Sequence, residues 1–96
     1  MNIPHRNSVN YTEEEFGNIV SPVIERSINN LKSNNGEEGV IQMWLNNNVG
    51  LNIHRVDEHH IEFLKNKLYE ASWNNEVKFR EDERTGGRDL YIALYL

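Results

Sequence analysis

Residues 76–96 read EVKFREDERTGGRDLYIALYL, with a Gly-Gly pair near the middle. Apolar side chains recur at every second position on both sides of the Gly86-Gly87 pair. Such alternation is typical of a β-strand with one buried face, and Gly-Gly between two alternating runs indicates a tight hairpin turn. The sequence therefore predicts antiparallel strands at 76–81 and 88–96.

A helix precedes this hairpin. Asp57 is a favourable N-cap, and it is followed by apolar residues at spacings of three and four, from Ile61 to Ala71. These spacings place the apolar side chains on one face of an amphipathic helix. Asn74 and Asn75 end the helical pattern, and the predicted hairpin follows directly.

A second helical pattern begins near the N-terminus. Thr12 and Glu15 have the spacing of a capping box, and the apolar stripe continues until an Asn-Gly pair at 35–36 ends it. Pro22 interrupts the stripe. The helix either kinks at this proline or restarts there with Ser21 as a new cap.

The segment between the two helices predicts a second hairpin. Residues 40–45 and 51–54 alternate between apolar and polar, and they flank a turn-forming run at 46–50. The predicted order is α-β-β-α-β-β, an α+β domain with a four-stranded antiparallel sheet and both helices on one face. Residues 1–10 carry no period and are expected to form a flexible arm, which leaves 11–96 as the single domain.

Composition restricts the classes of function. The chain of 96 residues has a net charge of −5 and no cysteine, which excludes disulfides and thiolate metal sites and disfavours nucleic-acid binding. No apolar run approaches the roughly 20 residues that a membrane span needs. We expect a protein of the cytoplasm that does not enter membranes.

The hairpin turn carries the main candidate ligand site. Its glycines could turn backbone N–H groups toward an anion while the neighbouring arginines clamp the anion's oxygen atoms. The alternative is a plain turn with solvated charges, which is favoured because no GK[ST] motif and no helix follow the glycines. The candidate ligand-binding residues are Lys78, Arg80, Arg84, Gly86, Gly87 and Arg88.

Catalytic and metal-binding patterns are weak. His59 and Glu62 have the spacing of a helical ligand pair, and His54 could assist, but His59 and His60 point in different directions on a helix. No HEXXH motif and no nucleophile motif occurs. The sequence predicts neither an enzyme nor a resident metal or cofactor.

The aromatic residues suggest an interface. Tyr91 and Tyr95 alternate with the leucines of the last strand, so this strand is apolar on both faces. A partner subunit is the expected cover for the second face, which predicts a homo-oligomer with Trp44 and both tyrosines at its interface. Alternatively, these rings could stack on the base of a nucleotide.

Residues 57–96 carry a family resemblance. A helix ending in LYEASW is followed by EVKFRED, the RTGG turn and RDLYIALYL, and the chain is rich in Asn. This arrangement resembles the C-terminal part of small phage-encoded accessory proteins. The resemblance implies a non-catalytic binder in the host cytoplasm that inhibits a host or defence protein. It equally allows a protein that sequesters a signal nucleotide or serves in the phage particle.

Overall fold

The computed structural model describes residues 1–33, 39–81, 83–84 and 86–96. Its main elements are α1 (Glu13–Ser33), β1 (Val40–Leu45), α2 (Glu58–Glu70), β2 (Asn74–Glu81) and β3 (Arg88–Tyr95). Short 3-10 turns occupy Arg6–Val9, Asn47–Val49 and Ile53–Arg55. The α+β class predicted from the sequence is confirmed.

The three strands form one antiparallel sheet in the order β1-β3-β2. β3 is therefore central, and its Leu90 pairs with Leu45 of β1 and with Phe79 of β2. Leu90, Ile92 and Leu94 have no exposed surface. They join the core that both helices form against one face of the sheet. The hairpin predicted from the Gly-Gly pair is present as β2 and β3.

The predicted strand at 51–54 is wrong, and the sheet of the described residues has three strands instead of four. Asn46 accepts a hydrogen bond from the Asn48 N–H at 2.8 Å, and Gly50 adopts a left-handed φ of 79°. Asn52 then accepts from the His54 N–H at 3.1 Å and begins another 3-10 turn. Asparagine side chains thus satisfy backbone groups that a strand would have paired with a neighbour.

Leu51 and Ile53 explain why this segment resembles a strand in sequence. They are 0% and 8% exposed, and both belong to the core. Two buried residues separated by one exposed residue produce the same alternation as a strand does. The alternation here reflects burial of a loop beneath the sheet and not pairing within the sheet.

The first helix is continuous. Thr12 N–H donates to Glu15 Oε1 at 3.0 Å, and Glu15 N–H donates to Thr12 Oγ1 at 3.1 Å, which confirms the predicted capping box. Pro22 lies inside the helix at an exposed position, so no second helix begins at Ser21. The predicted end at 35–36 lies outside the described residues. In the described part of the chain, neither long helix has the length and hydropathy to cross a membrane.

The start of α1 is tied to the start of α2 through the residues before it. Arg55 Nε donates to the Val9 carbonyl at 2.6 Å, and Tyr11 N–H donates to the Arg55 carbonyl at 3.0 Å. Asn10 Nδ2 donates to Asp57 Oδ2 at 2.9 Å. The last residues of the predicted arm therefore contact the loop that leads into α2.

Candidate functional site

Among the described residues, both long helices pack on one face of the sheet, and we call the opposite face the open face. Strand register places on it Asp89, Tyr91, Ala93 and Tyr95 of β3 and the residues of β1 and β2 that pair with them. These positions alternate with the helix-facing core positions of each strand. The open face comprises Val40, Gln42, Trp44, Asn74, Glu76, Lys78, Arg80, Asp89, Tyr91, Ala93 and Tyr95.

Tyr91 is buried at the centre of the open face, with 5% of its surface exposed. Gln42 Nε2 donates to the Tyr91 hydroxyl at 2.9 Å, and the Trp44 and Tyr91 ring centroids are 5.5 Å apart. Lys78 Nζ and Arg80 Cζ lie 5.6 and 5.2 Å from the centroid of the same ring. These cations interact favourably with the ring and cover it.

The expected cover for this face is therefore supplied in large part by the chain itself. Tyr91 and Ala93 are 5% and 0% exposed within a single chain. The apolar character of both faces of β3 no longer requires a partner subunit. The aromatic side chains of this face that remain exposed are Trp44, at 44%, and Tyr95, at 39%.

The side chain of Tyr95 is held by a neighbouring carboxylate. Its hydroxyl donates to Glu76 Oε2 at 2.9 Å, and Glu76 Oε1 lies 2.5 Å from Lys78 Nζ. The hydrogen bond to Glu76 raises the pKa of Tyr95 because it stabilises the protonated phenol. The bonds from Lys78 and Tyr95 lower the pKa of Glu76.

Two recesses lie at the end of the sheet where β3 begins. The first, the Trp44 recess, has a volume of about 540 Å³, and the second, the Gly86 recess, has about 420 Å³. Asn46 and Asp89 line both, and Asn46 Nδ2 donates to Asp89 Oδ1 at 2.6 Å. The Trp44 recess is lined by Trp44, Asn46, Asn48, Arg80, Glu81, Arg84 and Asp89. The Gly86 recess is lined by Asn46, Asn47, Asn52, Ile53, His54, Gly86, Gly87, Arg88 and Asp89.

Five of the six predicted anion-binding residues are divided between these two recesses. Arg80 and Arg84 line the Trp44 recess, whereas Gly86, Gly87 and Arg88 line the Gly86 recess. Gly86 has a left-handed φ of 68°, as a hairpin turn requires.

Lys78 and Arg88, two further cations of the predicted set, lie on opposite faces of the sheet. Lys78 lies over Tyr91 on the open face, but the Arg88 guanidinium stacks 4.2 Å from the Phe79 ring, which belongs to the helix-facing side of the sheet. Trp44 therefore shares its recess with Arg80 and Arg84, whereas Arg88 lines the other recess.

A histidine cluster lies at the start of α2. Potential ligand atoms of Asp57, His59 and His60 lie within 4.8 Å of one another. His60 is completely buried; its Nδ1 accepts from the Asp57 N–H at 2.9 Å, and its Nε2 donates to the Tyr11 carbonyl at 2.6 Å. Because a backbone N–H only donates and a carbonyl only accepts, these contacts place a proton on Nε2 of His60 and occupy both ring nitrogens. Its role is that of a helix cap, and metal binding would require breaking these bonds.

The contacts of this helix cap also change the pKa of Asp57. Burial of this carboxylate raises its pKa, but the hydrogen bond from the His59 N–H and the charge of the His59 imidazole outweigh burial. The pKa of Asp57 is therefore below its ordinary value. The ionised form is the one that caps the helix.

Comparisons with protein-family models, with curated proteins and with solved structures found no significant match. No known relative therefore indicates a role for the site, and only its geometry does so. Two of its residues, Gln42 and Asp89, have no motif that singles them out in the sequence. Their roles follow from the pairing of β1 with β3, which joins residues far apart in the chain.

Proposed function

We propose that the chain is a non-enzymatic binding protein that associates stoichiometrically with another protein through the open face. The observation that supports this proposal is the pair of half-exposed aromatic side chains, Trp44 and Tyr95, on adjacent strands. Tryptophan, tyrosine and arginine are the residue types that most often contribute binding energy at protein interfaces.

The two rings are restrained before any partner arrives. Trp44 packs on the buried Tyr91, and Tyr95 is hydrogen-bonded to Glu76. A side chain that is already ordered loses less conformational entropy on binding. The open face therefore presents fixed aromatic contacts, and this favours a binding role for it.

Charge suggests the character of the partner. Lys78 is engaged by Glu76, but Arg80 borders a recess and carries its charge beside the exposed indole of Trp44. A partner that matches this surface has an apolar patch with an acidic group at its edge.

The identity of the partner is proposed from the resemblance of residues 57–96 to phage accessory proteins. On this basis the target is a host or defence protein in the host cytoplasm, and binding inhibits it. A structural role in the phage particle and association with a second copy of the chain are the competing proposals.

The test is co-purification of tagged protein from the natural host, followed by native mass spectrometry. Wild-type protein is compared with the double variant Trp44→Ser, Tyr95→Ser. The control is Tyr69→Ser, which removes a 57% exposed tyrosine from α2. We expect a complex of fixed stoichiometry with wild type and the control, and its loss with the double variant. Retention of the complex by the folded double variant, or its equal loss with Tyr69→Ser, would refute the open face as the interface.

Size-exclusion chromatography with light scattering separates the competing partners. If the occupant is a second copy, purified wild-type protein forms a dimer at micromolar concentration and the double variant is monomeric. If both are monomeric, the homo-oligomer is rejected. Association only with assembled particles would favour the structural role.

A further inference from the structure

We propose that the Trp44 recess binds a guanine nucleotide. Its volume of about 540 Å³ falls within the range of roughly 300–1,000 Å³ that is usual for small-molecule sites. The inference goes beyond association with a protein. It rests on the residues of the recess and not on the proposed partner.

The exposed indole supplies a surface for the base. Trp44 is 44% exposed and borders the recess, while the buried Tyr91 beneath it fixes its position. Stacking on an aromatic side chain is a common way in which proteins hold a nucleobase.

Two arginines supply the phosphate-binding groups. Arg80 and Arg84 both line the recess, and the contact with the Tyr91 ring positions the Arg80 guanidinium. Guanidinium groups bind phosphate oxygens with two parallel hydrogen bonds, so they suit the charged end of a nucleotide.

The acidic residues of the recess select the base. Glu81 and Asp89 balance the charges of Arg80 and Arg84, so the recess is poorly suited to a simple anion. It suits a ligand that has hydrogen-bond donors as well as a phosphate. Asp89 is held by the 2.6 Å bond from Asn46 and can accept further bonds as a carboxylate.

Guanine matches this carboxylate better than adenine does. Guanine presents its N1–H and its N2 amino group side by side, and one carboxylate can accept from both. Adenine presents its N6 amino group beside the N1 lone pair, which a carboxylate repels. The recess is therefore expected to prefer GMP over AMP by about ten-fold, a conservative value for discrimination by one paired contact.

The experiment uses the intrinsic fluorescence of Trp44. The chain has two tryptophans, and Trp73→Phe removes the other one, which packs against the core. This variant is titrated with GMP, AMP and inorganic phosphate, and each affinity is repeated by calorimetry on the wild-type chain. We expect saturable quenching by GMP, binding of AMP that is about ten-fold weaker, and no saturation by phosphate over the same range.

Substitutions in the calorimetric titration assign the groups. Arg84→Gln is expected to weaken GMP binding by about ten-fold, and Asp89→Asn is expected to abolish the preference for GMP over AMP. Arg88→Gln is the matched control, because it lies in the same turn region but stacks on Phe79 and lines the Gly86 recess. This variant is expected to keep the affinity for GMP within about two-fold of the wild-type value.

Three outcomes would overturn the proposal. They are the absence of GMP binding in calorimetry, equal affinity for GMP and AMP in the wild type, and an equal loss of affinity with Arg84→Gln and Arg88→Gln. The test is separable from that of the protein partner, because Tyr95→Ser alone should impair capture of the partner without changing GMP affinity. Arg84→Gln should do the reverse, because Arg84 lines the Trp44 recess but lies beyond the end of β2.

Discussion

The Nε2 atom of His60 lies 2.6 Å from the carbonyl oxygen of Tyr11, so a side chain of α2 satisfies a backbone group at the start of α1. The other ring nitrogen accepts from the Asp57 N–H at 2.9 Å. The ring also lies 5.1 Å from that of Phe16, which is completely buried. One buried imidazole thus joins the first turns of both helices to the core.

Removing this imidazole should destabilise the fold. His60→Phe keeps an aromatic ring but leaves the Asp57 N–H and the Tyr11 carbonyl without their partner, which costs about 2–5 kcal/mol of unfolding free energy. Urea denaturation measures the loss. His59→Gln is the control, because the His59 side chain is 55% exposed and its replacement should cost under about 1 kcal/mol. Equal losses for both variants would contradict the role assigned to His60.

The cap at Asp57 should make the stability depend on pH. Asp57→Ala is expected to lower the unfolding free energy by about 1–2 kcal/mol at neutral pH, through loss of the helix cap. Because the pKa of Asp57 is lowered in the folded state, its contribution is present above the ordinary pKa and is lost as the pH falls through the lowered value. The difference between wild type and variant should therefore shrink below about pH 4.

Urea denaturation at neutral and acid pH provides the measurement for Asp57. Glu62→Gln removes an exposed carboxylate from the same helix and serves as the control for net charge. A difference between wild type and Asp57→Ala that stays constant into the acid range would refute the ionised cap.

The contact between Tyr95 and Glu76 should be visible in the titration of the phenol. The pKa of Tyr95 is raised above its ordinary value of 10.0 chiefly by the hydrogen bond to Glu76, so Glu76→Gln should lower it. A raised pKa stabilises the fold below the ordinary value, and this contribution is lost as the pH rises through the raised one. Carbon NMR of labelled tyrosine rings follows the titration, with Glu70→Gln as a control on α2. An unchanged Tyr95 titration in Glu76→Gln would contradict the contact.

Two glycines should respond to alanine with opposite signs. Gly50 has a φ of 79°, where alanine is strained, so Gly50→Ala should destabilise the protein by about 1 kcal/mol. Gly17 lies within α1, and a methyl group there would meet no atom of the described residues within 4 Å apart from its chain neighbours and the backbone of its own helix. Gly17→Ala should stabilise by about 0.5–1 kcal/mol. Thermal denaturation of both variants, with shifts of the same sign, would refute this assignment.

Local signals in the sequence predicted the parts of the fold that local chemistry determines. The cap at Asp57, the Thr12–Glu15 capping box and the Gly-Gly turn each act within a few residues, and each appears in the structure. The failure at Leu51 and Ile53 has the opposite origin. Their burial depends on packing against distant elements, and alternation alone does not distinguish a buried loop from a strand.

The candidate site was less predictable for the same reason. The sequence indicated Trp44, Arg80 and Arg84 by residue type, but it could not bring them together without the pairing of both β1 and β2 with β3. It also placed Arg84 and Arg88 in one clamp, whereas Arg88 lies against Phe79. The hydrogen bond from Gln42 to the Tyr91 hydroxyl likewise depends on the register of two strands that are remote in sequence.

The central position of β3 has a consequence for how the protein is made. β1 and β2 do not pair with each other, and both depend on β3, which follows them in the chain. A ribosome that has translated both helices and the first two strands has therefore produced no sheet. Until β3 emerges, the nascent chain exposes the apolar faces that will form the core, and during this interval it is a natural client for chaperones.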